Sequence, residues 1–313
     1  MIPAKTEIEA AYQRVKPFVH RTPVLTSNLV NRHINAELFF KCENFQKMGA
    51  FKMRGAVNAI LQLSEEERKA GVVTHSSGNF AQAVALAART LEVKAYIVMP
   101  SNAPDVKKQA VMGYGGIITE SAPTLAAREK AADHIKGETG AVFLHPSNQM
   151  EVILGNATAT VELLESHPDL DAVITPVGGG GLLAGTALAV HYYGNGCSTL
   201  AGEPFDADDA YRSFHSGRIE TNKVTNTIAD GLRTQLGSVN FPIIKELVSD
   251  ILLVEEDEIV NGMRYLWERL KIVIEPSSAV PFAAVLKHKE RFRNKKIGIL
   301  LSGGNVSLSQ LPF

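Results

Sequence analysis

Short apolar segments alternate with helix-like segments along most of this 313-residue chain, and this alternation limits the fold more than any other feature. Residues 72–75, 95–99, 172–176 and 296–301 each form a strand-like run, and patterns typical of helices separate them. Such short apolar strands are typical of parallel sheets with both faces covered by helices. The sequence therefore predicts an α/β protein built on parallel sheets.

The alternation also predicts two domains. Residues 71–147 contain a compact set of four strand-like runs with helices between them. We interpret this block as a smaller α/β domain inserted into a larger one, which residues 1–70 and 148–313 form together.

Composition narrows the class of protein. The net charge is −1 and no long basic block is present, which argues against nucleic-acid binding. No run of about 18 apolar residues exists outside the glycine-interrupted segment 173–190, so no membrane span is predicted. The first residues lack the apolar core of a signal peptide, and Cys42 and Cys197 have neither metal-binding nor redox spacing. We expect free thiols and a cytoplasmic location.

Two distant features predict a cofactor. Lys52 lies in the segment 44–56, NFQKMGAFKMRGA, where apolar residues precede a helix-like run. Burial disfavours an ammonium ion, so such a lysine can be a neutral amine at neutral pH. The loop Gly178–Gly181 follows an apolar strand and precedes a helix, which lets several backbone N–H groups converge on a phosphate. An amine and a phosphate cradle together favour pyridoxal phosphate, held as a Schiff base.

Two other functions fit the glycine loop. Residues 179–184 match the pattern G-x-G-x-x-A, and Glu203 follows at about the distance of a ribose-binding acid, which would suit a nicotinamide-dependent oxidoreductase. That alternative leaves Lys52 without a role. A non-catalytic module that binds a small molecule is the third hypothesis.

Two further loops follow predicted strands. The segment Ser76–Phe80 offers hydroxyls, an amide and helix-start N–H groups, which suit a carboxylate. Capping of the helix by Ser77 or Asn79 is the competing interpretation, and it is compatible with anion binding because the remaining N–H groups stay free. Ser302 begins a glycine-containing segment after the last strand, where a hydroxyl could meet a heteroaromatic nitrogen or simply belong to a turn.

An acidic cluster forms a possible metal site. Glu203, Asp208 and Asp209 lie close together after a strand, and carboxylates with backbone oxygens suit a hard cation. Capping of a helix near Ala210 is the competing interpretation.

Taken together, these loops resemble the fold-type II pyridoxal-phosphate enzymes, specifically the serine racemase and serine/threonine dehydratase family, including 3-hydroxyaspartate dehydratase. The resemblance extends from the segment 20–23 (HRTP) to the segment 302–305 (SGGN), with four loops in the family's order. It implies a tryptophan synthase β-like fold, a homodimer, and β-elimination of serine, threonine or 3-hydroxyaspartate to a keto acid and ammonia, with possible serine racemisation.

The resemblance also implies roles for individual residues. Lys52 would bind the cofactor and take the α-proton on one face of the substrate, and Ser77 would act as the base on the other face. The implied cofactor contacts are Asn79 at the ring hydroxyl, Ser302 at the pyridine nitrogen, and Gly178, Gly179, Gly180, Gly181 and Leu182 at the phosphate. The implied substrate contacts are Ser76, Ser77, Asn79, Phe80 and Arg128. A divalent cation, Mg²⁺ or Ca²⁺, would be bound by Glu203, the carbonyl of Ala207 and Asp209.

Three departures from the family pattern are visible. Phe80 replaces the usual histidine, Ala50 stands where many dehydratases have serine, and the segment 155–158 (GNAT) replaces the common Gly-Gln-Gly-Thr. Arg128 favours a substrate with a second carboxylate, whereas Phe80 favours a less polar one. The sequence leaves the choice of substrate open.

Overall fold

A computed structural model describes residues 2–308 and 311–313. Its strands are β1 (Val24–Leu25), β2 (Glu37–Cys42), β3 (Val72–His75), β4 (Ala95–Pro100), β5 (Ile117–Ser121), β6 (Val142–Phe143), β7 (Ala172–Pro176), β8 (Ser198–Pro204), β9 (Asp250–Val254) and β10 (Lys296–Leu301). Its helices are α1 (Lys5–Val15), α2 (Asn28–Ile34), α3 (Lys52–Leu61), α4 (Glu65–Ala70), α5 (Asn79–Thr90), α6 (Asp105–Gly113), α7 (Leu125–Thr139), α8 (Met150–Ser166), α9 (Gly181–Tyr193), α10 (Asp209–Ser216), α11 (Phe241–Leu247), α12 (Glu256–Leu270), α13 (Pro276–Lys287) and α14 (Lys289–Phe292).

The strands form two sheets. The larger has the order β1-β2-β10-β7-β8-β9, and every pair in it is parallel except β1 with β2. The smaller has the order β5-β4-β3-β6 and is parallel throughout. The prediction of parallel sheets is confirmed, and the four strands of the smaller sheet all lie between residues 72 and 143. The domain boundaries themselves stay a prediction.

The buried side chains explain why helices cover these sheets. All five residues of β7 are buried, as expected for a central strand with helices on both faces. One apolar cluster joins β2, β7 and β10 to α12 and α13, and another joins α3 and α5 to β3 and β4. In open α/β sheets ligands bind beyond the carboxyl ends of the strands. The sequence predicts cofactor- and substrate-binding residues in the loops that follow β3, β7 and β10.

Several boundaries differ from those expected from sequence. The sequence pattern predicts helices over residues 157–165 and 54–62. In the structure, α8 already begins at Met150 and α3 at Lys52. Within residues 2–308 and 311–313, no helix combines the length and apolar character needed to cross a bilayer.

Candidate active site

Lys52 is held at the start of α3 by main-chain contacts with the chain that follows β10. The N–H of Phe51 donates to the carbonyl of Ser302 at 3.0 Å, and the N–H of Gly304 donates to the carbonyl of Gly49 at 2.9 Å. A β-bridge between Ala50 and Gly303 lies between these two bonds. Two loops that are about 250 residues apart in sequence are thereby fixed against each other.

The Lys52 amine lies in an apolar environment. Its Nζ donates to the carbonyl of Pro146 at 2.7 Å and lies 4.9 Å and 5.6 Å from the ring centres of Phe51 and Phe80. Burial lowers the pKa of Lys52 to about 8, and the nearby charge of Glu275 opposes that shift. About a tenth of this side chain is therefore the neutral, nucleophilic amine at pH 7, far more than for a lysine with its ordinary pKa. Phe80, the departure from the family pattern, contributes to the apolar surroundings.

The glycine loop is packed so closely that larger residues do not fit. A Cβ on Gly179 would lie 2.5 Å from Oγ of Ser147, and Gly180 has a φ of +80°, which favours glycine. The buried Asn240 fixes the loop, because its Nδ2 donates to the carbonyls of Gly179 and Ser147 at 2.8 and 3.0 Å.

The N–H groups of this loop are free to bind a ligand. Within the described part of the chain, the backbone N–H groups of residues 178–180 donate no hydrogen bond to another residue. Helix α9 begins directly after them at Gly181, so its positive end faces the same place. The arrangement fits the phosphate of the predicted cofactor.

The predicted carboxylate-binding corner lies between β3 and α5. Gly78 is the N-cap of α5, and no side chain caps this helix. The alternative in which Ser77 or Asn79 caps the helix is therefore wrong. Ser76 Oγ accepts a hydrogen bond from the N–H of Gly78 at 3.3 Å, and Ser77 is half-buried at the wall of the cavity.

Asn79 belongs to a chain of polar side chains that sequence reasoning missed. Its Nδ2 donates to Oε1 and Oε2 of Glu275 at 2.9 and 3.1 Å, and its Oδ1 accepts from Asn305 Nδ2 at 2.8 Å. Burial raises the pKa of Glu275 to about 7. The sequence offered only a weak signal for this carboxyl, namely its position immediately before Pro276 at the start of α13.

Ser302 lies in the cavity wall at the end of β10, as the sequence predicts. Its Oγ is 3.1 Å from Oγ of Ser278, which in turn donates to the carbonyl of Gly303 at 2.7 Å. Both hydroxyls are buried. The pair places a neutral hydroxyl in the cavity wall, and no carboxylate among the described residues bonds Ser302 Oγ.

Arg128 and two histidines line another wall of the cavity. Nε of Arg128 is buried and has no hydrogen-bond partner among the described residues. His145 Nδ1 accepts hydrogen bonds from the N–H groups of Ser147 and Asn148 at 3.1 and 2.7 Å, so its Nε2 carries the proton. Burial lowers the pKa of His145 to about 4 and also lowers that of His75, so both rings are neutral.

A cavity of about 1680 Å³ gathers these groups. The predicted site residues that line it are Lys52, Ser76, Ser77, Asn79, Phe80, Arg128, Gly178, Gly179, Gly180, Gly181, Leu182 and Ser302. A lysine with a lowered pKa at one position and a tightly packed glycine cradle at another fit pyridoxal phosphate, which needs an amine for its aldehyde and N–H donors for its phosphate. The metal-site residues Glu203, Ala207 and Asp209 lie outside this cavity.

The acidic cluster after β8 combines the two interpretations that the sequence left open. Glu203 Oε1 and Oε2 accept from the N–H groups of Ala210 and Tyr211 at 2.9 and 2.7 Å, so this carboxylate caps α10. Oδ2 of the buried Asp209 has no hydrogen-bond partner among the described residues. Burial and the neighbouring charge of Asp209 raise the pKa of Glu203, and burial raises that of Asp209 to about 7. Two buried carboxylates with an orphaned oxygen fit a cation, although the described residues contain no group of three or more His, Cys, Asp or Glu that would form a site alone.

Comparisons with known proteins agree with this geometry. The profile of a family described as "Pyridoxal-phosphate dependent enzyme" matches residues 15–303. A serine racemase of Dictyostelium discoideum is 49% identical over 309 residues, which are 97% of this chain and 95% of that protein. A beta-hydroxyaspartate dehydratase of Paracoccus denitrificans (strain Pd 1222) is 45% identical over 312 residues, 100% of this chain and 99% of that protein. The structure of maize serine racemase superposes with a TM-score of 0.97 at 45% identity, covering 99% of this chain and 96% of that one.

Proposed function

The chain belongs to the family of pyridoxal-phosphate dependent enzymes, and we propose that it removes water and ammonia from a β-hydroxy amino acid and also racemises serine. The predicted fold class and the prediction of a pyridoxal-phosphate enzyme are confirmed. The nicotinamide-dependent alternative is set aside, because the family match includes the loop 179–184 on which it depended.

The Lys52 amine, which lies beside two phenylalanine rings in the same cavity as the glycine loop, is the observation that supports this proposal best. When bound, the cofactor supplies an electron sink for the pair left on the substrate's α-carbon after proton removal. Lys52 would hold the cofactor's aldehyde and, as a free amine, accept that α-proton, for which a pKa of about 8 is well matched to neutral pH. The free N–H groups of residues 178–180 would bind the phosphate, and the Ser302 hydroxyl would face the ring nitrogen.

Chemical trapping tests this assignment directly. Borohydride reduction of the yellow protein, followed by peptide mass spectrometry, should place the adduct on Lys52. The variant Lys52→Ala should lack both the adduct and turnover. An adduct on another lysine would overturn the proposal.

Racemisation needs a second proton carrier on the opposite face of the substrate. Ser77 occupies the wall of the cavity between β3 and α5, and Ser76 beside it already accepts a main-chain hydrogen bond. We expect Ser77→Ala to suppress serine racemisation more strongly than β-elimination, with Ser76→Ala as the neighbouring control. Equal loss of both activities in the Ser77 variant would argue against a role in proton transfer.

The substrate preference rests on Arg128. A buried guanidinium nitrogen without a partner in the cavity wall favours an anionic substrate group in addition to the α-carboxylate, so we propose 3-hydroxyaspartate as the preferred substrate over serine and threonine. Keto-acid release from the three substrates measures this preference. Arg128→Met should raise KM for 3-hydroxyaspartate far more than for serine, and a uniform effect on all three would exclude this role.

A divalent cation at Glu203, the carbonyl of Ala207 and Asp209 is part of the proposal. The orphaned oxygen of Asp209 and the raised pKa values of both carboxyls support it, because a bound cation would satisfy the oxygen and favour the charged forms. The homodimer and the cytoplasmic location stay predictions, and sedimentation of the purified protein measures the first of them.

A further inference from the structure

Glu275 is a buried acid in the cavity to which the reaction described above gives no role. Only 4% of its surface is exposed, and it lies at the N-cap of α13. Its own N–H donates to the carbonyl of Gly303 at 3.1 Å, which ties it to the loop after β10. A Cβ on Gly303 would approach Glu275 Oε1 to 2.9 Å, so the carboxyl has little room to move.

The hydrogen bonds around Glu275 determine which way the Asn79 amide faces. Asn305 Nδ2 donates to the carbonyl of Met48 at 2.8 Å, and a carbonyl can only accept, so this position must be the NH₂ group. The same Nδ2 donates to Asn79 Oδ1 at 2.8 Å. The NH₂ group of Asn79 is then directed to the carboxylate of Glu275 at 2.9 and 3.1 Å. Glu275 is therefore the acceptor that completes the chain.

Charge connects Glu275 to the other predicted cofactor contact. It is the carboxylate whose charge raises the pKa of the Lys52 amine against the effect of burial. Asp230 raises the pKa of Glu275, and Lys107, which pairs with Asp230 at 2.7 Å, lowers it. The charged and polar groups that face Glu275 therefore come from α3, α5, α6, the turn Asp230–Leu232 and the loop after β10.

We propose that Glu275 is a positioning residue that orients the Asn79 amide and supplies a negative charge to the cavity that also contains the Lys52 nitrogen. Asn79 and Lys52 are the side chains expected to meet two neighbouring substituents of the cofactor ring, the hydroxyl and the aldehyde. One buried carboxylate would therefore orient the Asn79 amide and adjust the charge of the Lys52 amine before the cofactor binds. The inference rests on the proposed function for its meaning in catalysis, but its contacts belong to the protein alone.

Nuclear magnetic resonance of the cofactor-free protein tests the orientation. The side-chain NH₂ signals of Asn79, assigned with the variant Asn79→Asp, should shift with pH around a midpoint near 7, the pKa of Glu275. The variant Asp230→Asn should lower that midpoint, since it removes a negative charge near Glu275 without touching Asn79. If the chemical shifts of the Asn79 NH₂ group do not change with pH in the wild-type protein, the proposal is overturned. This measurement needs no Glu275 variant.

Reactivity of Lys52 tests the charge. Carbamylation by cyanate in the cofactor-free protein, followed by peptide mass spectrometry over a pH series, reports the neutral fraction of this amine. Glu275→Gln removes a negative charge, so the pKa of Lys52 should fall and its carbamylation at neutral pH should accelerate severalfold, with an upper limit of about tenfold because about a tenth of the amine is already neutral at a pKa of about 8. Glu275→Asp should lie between the two proteins. The control Glu129→Gln alters another glutamate of the cavity wall and should react as the wild type does.

The two sets of results separate this inference from the proposed function. An unchanged rate in Glu275→Gln, with normal folding by circular dichroism, would refute the role of the charge. Failure to trap pyridoxal phosphate on Lys52 would refute the proposed function and leave the Asn79 titration and the carbamylation rates valid. Both experiments therefore decide the role of Glu275 even if the protein uses another ligand.

Discussion

Removal of the Arg54 guanidinium should destabilise the protein more than almost any other single substitution of a charged residue. Arg54 is fully buried, two residues after Lys52, and it forms double hydrogen bonds with both Glu43 and Glu162 at 2.7 to 2.9 Å. Lys41 Nζ adds a contact with Glu162 at 2.6 Å. The four buried charges sum to zero in the native protein.

The size of the effect follows from that balance. Arg54→Met leaves two buried carboxylates facing one lysine, and breaking a buried ion pair in this way costs about 3–5 kcal/mol. Total stabilities are about 5–15 kcal/mol, so the loss would be a large part of the whole. In the double variant Arg54→Met with Glu43→Gln, the remaining Lys41 and Glu162 balance again. The double variant should therefore be less destabilised than the sum of the two single variants.

Urea unfolding followed by far-ultraviolet circular dichroism measures these differences at neutral pH. Lys69→Met is the matched control, because it breaks an exposed pair with Glu65 and should leave the unfolding midpoint nearly unchanged. Arg54→Met with a loss below about 1 kcal/mol would refute the reasoning, since a buried uncompensated charge costs more than that. Strict additivity in the double variant would refute it as well.

Three further predictions concern the metal site, the core and the glycine loop. The pKa of Asp209 is raised in the folded protein from 3.8 to about 7, so the folded state binds a proton that the unfolded state releases, and stability falls as pH rises from about 4 to about 7. At a pH above 7, added Mg²⁺ should raise the melting temperature of the wild type but not that of Asp209→Asn. Both polar atoms of the buried Asn156 lack partners among the described residues, whereas the neighbouring Asn58 bonds Arg14 and the carbonyl of Glu151. Asn156→Ala should therefore stay within about 1 kcal/mol of the wild type in urea unfolding and Asn58→Ala should lose about 1–3 kcal/mol, and the reverse order would contradict this. Gly179→Ala should weaken pyridoxal phosphate binding about tenfold, equivalent to about 1.4 kcal/mol, in a fluorescence titration, while Gly137→Ala, which meets no neighbour within 4 Å, should not.

Helix α8 shows where sequence patterns fail. Every residue from Val152 to Leu164 is buried, so the helix has no solvent-exposed face over this stretch and its start at Met150 produces no amphipathic signal. The same applies to Glu275, which is one acid among many in the sequence. Its partner Asn79 lies 196 residues away, and nothing local in the chain indicates that the two meet.

The sequence by itself determined the parallel α/β architecture and predicted Lys52 and the glycine loop as parts of a cofactor site. These features depend on short-range properties, namely the spacing of apolar residues and the backbone conformational freedom of consecutive glycines. Both can be recognised from a few neighbouring residues. Only the tertiary structure decided that Glu203 caps α10 while Asp209 keeps an oxygen without a partner among the described residues, that the Ser77 corner has no side-chain cap, and that Glu275 bonds Asn79 in the cavity that contains Lys52. Loops that are distant in sequence come together where their strands end at the same edge of a sheet. The contacts and burial formed there determine the hydrogen-bond partners and the pKa of each polar side chain, and these cannot be read from neighbouring residues.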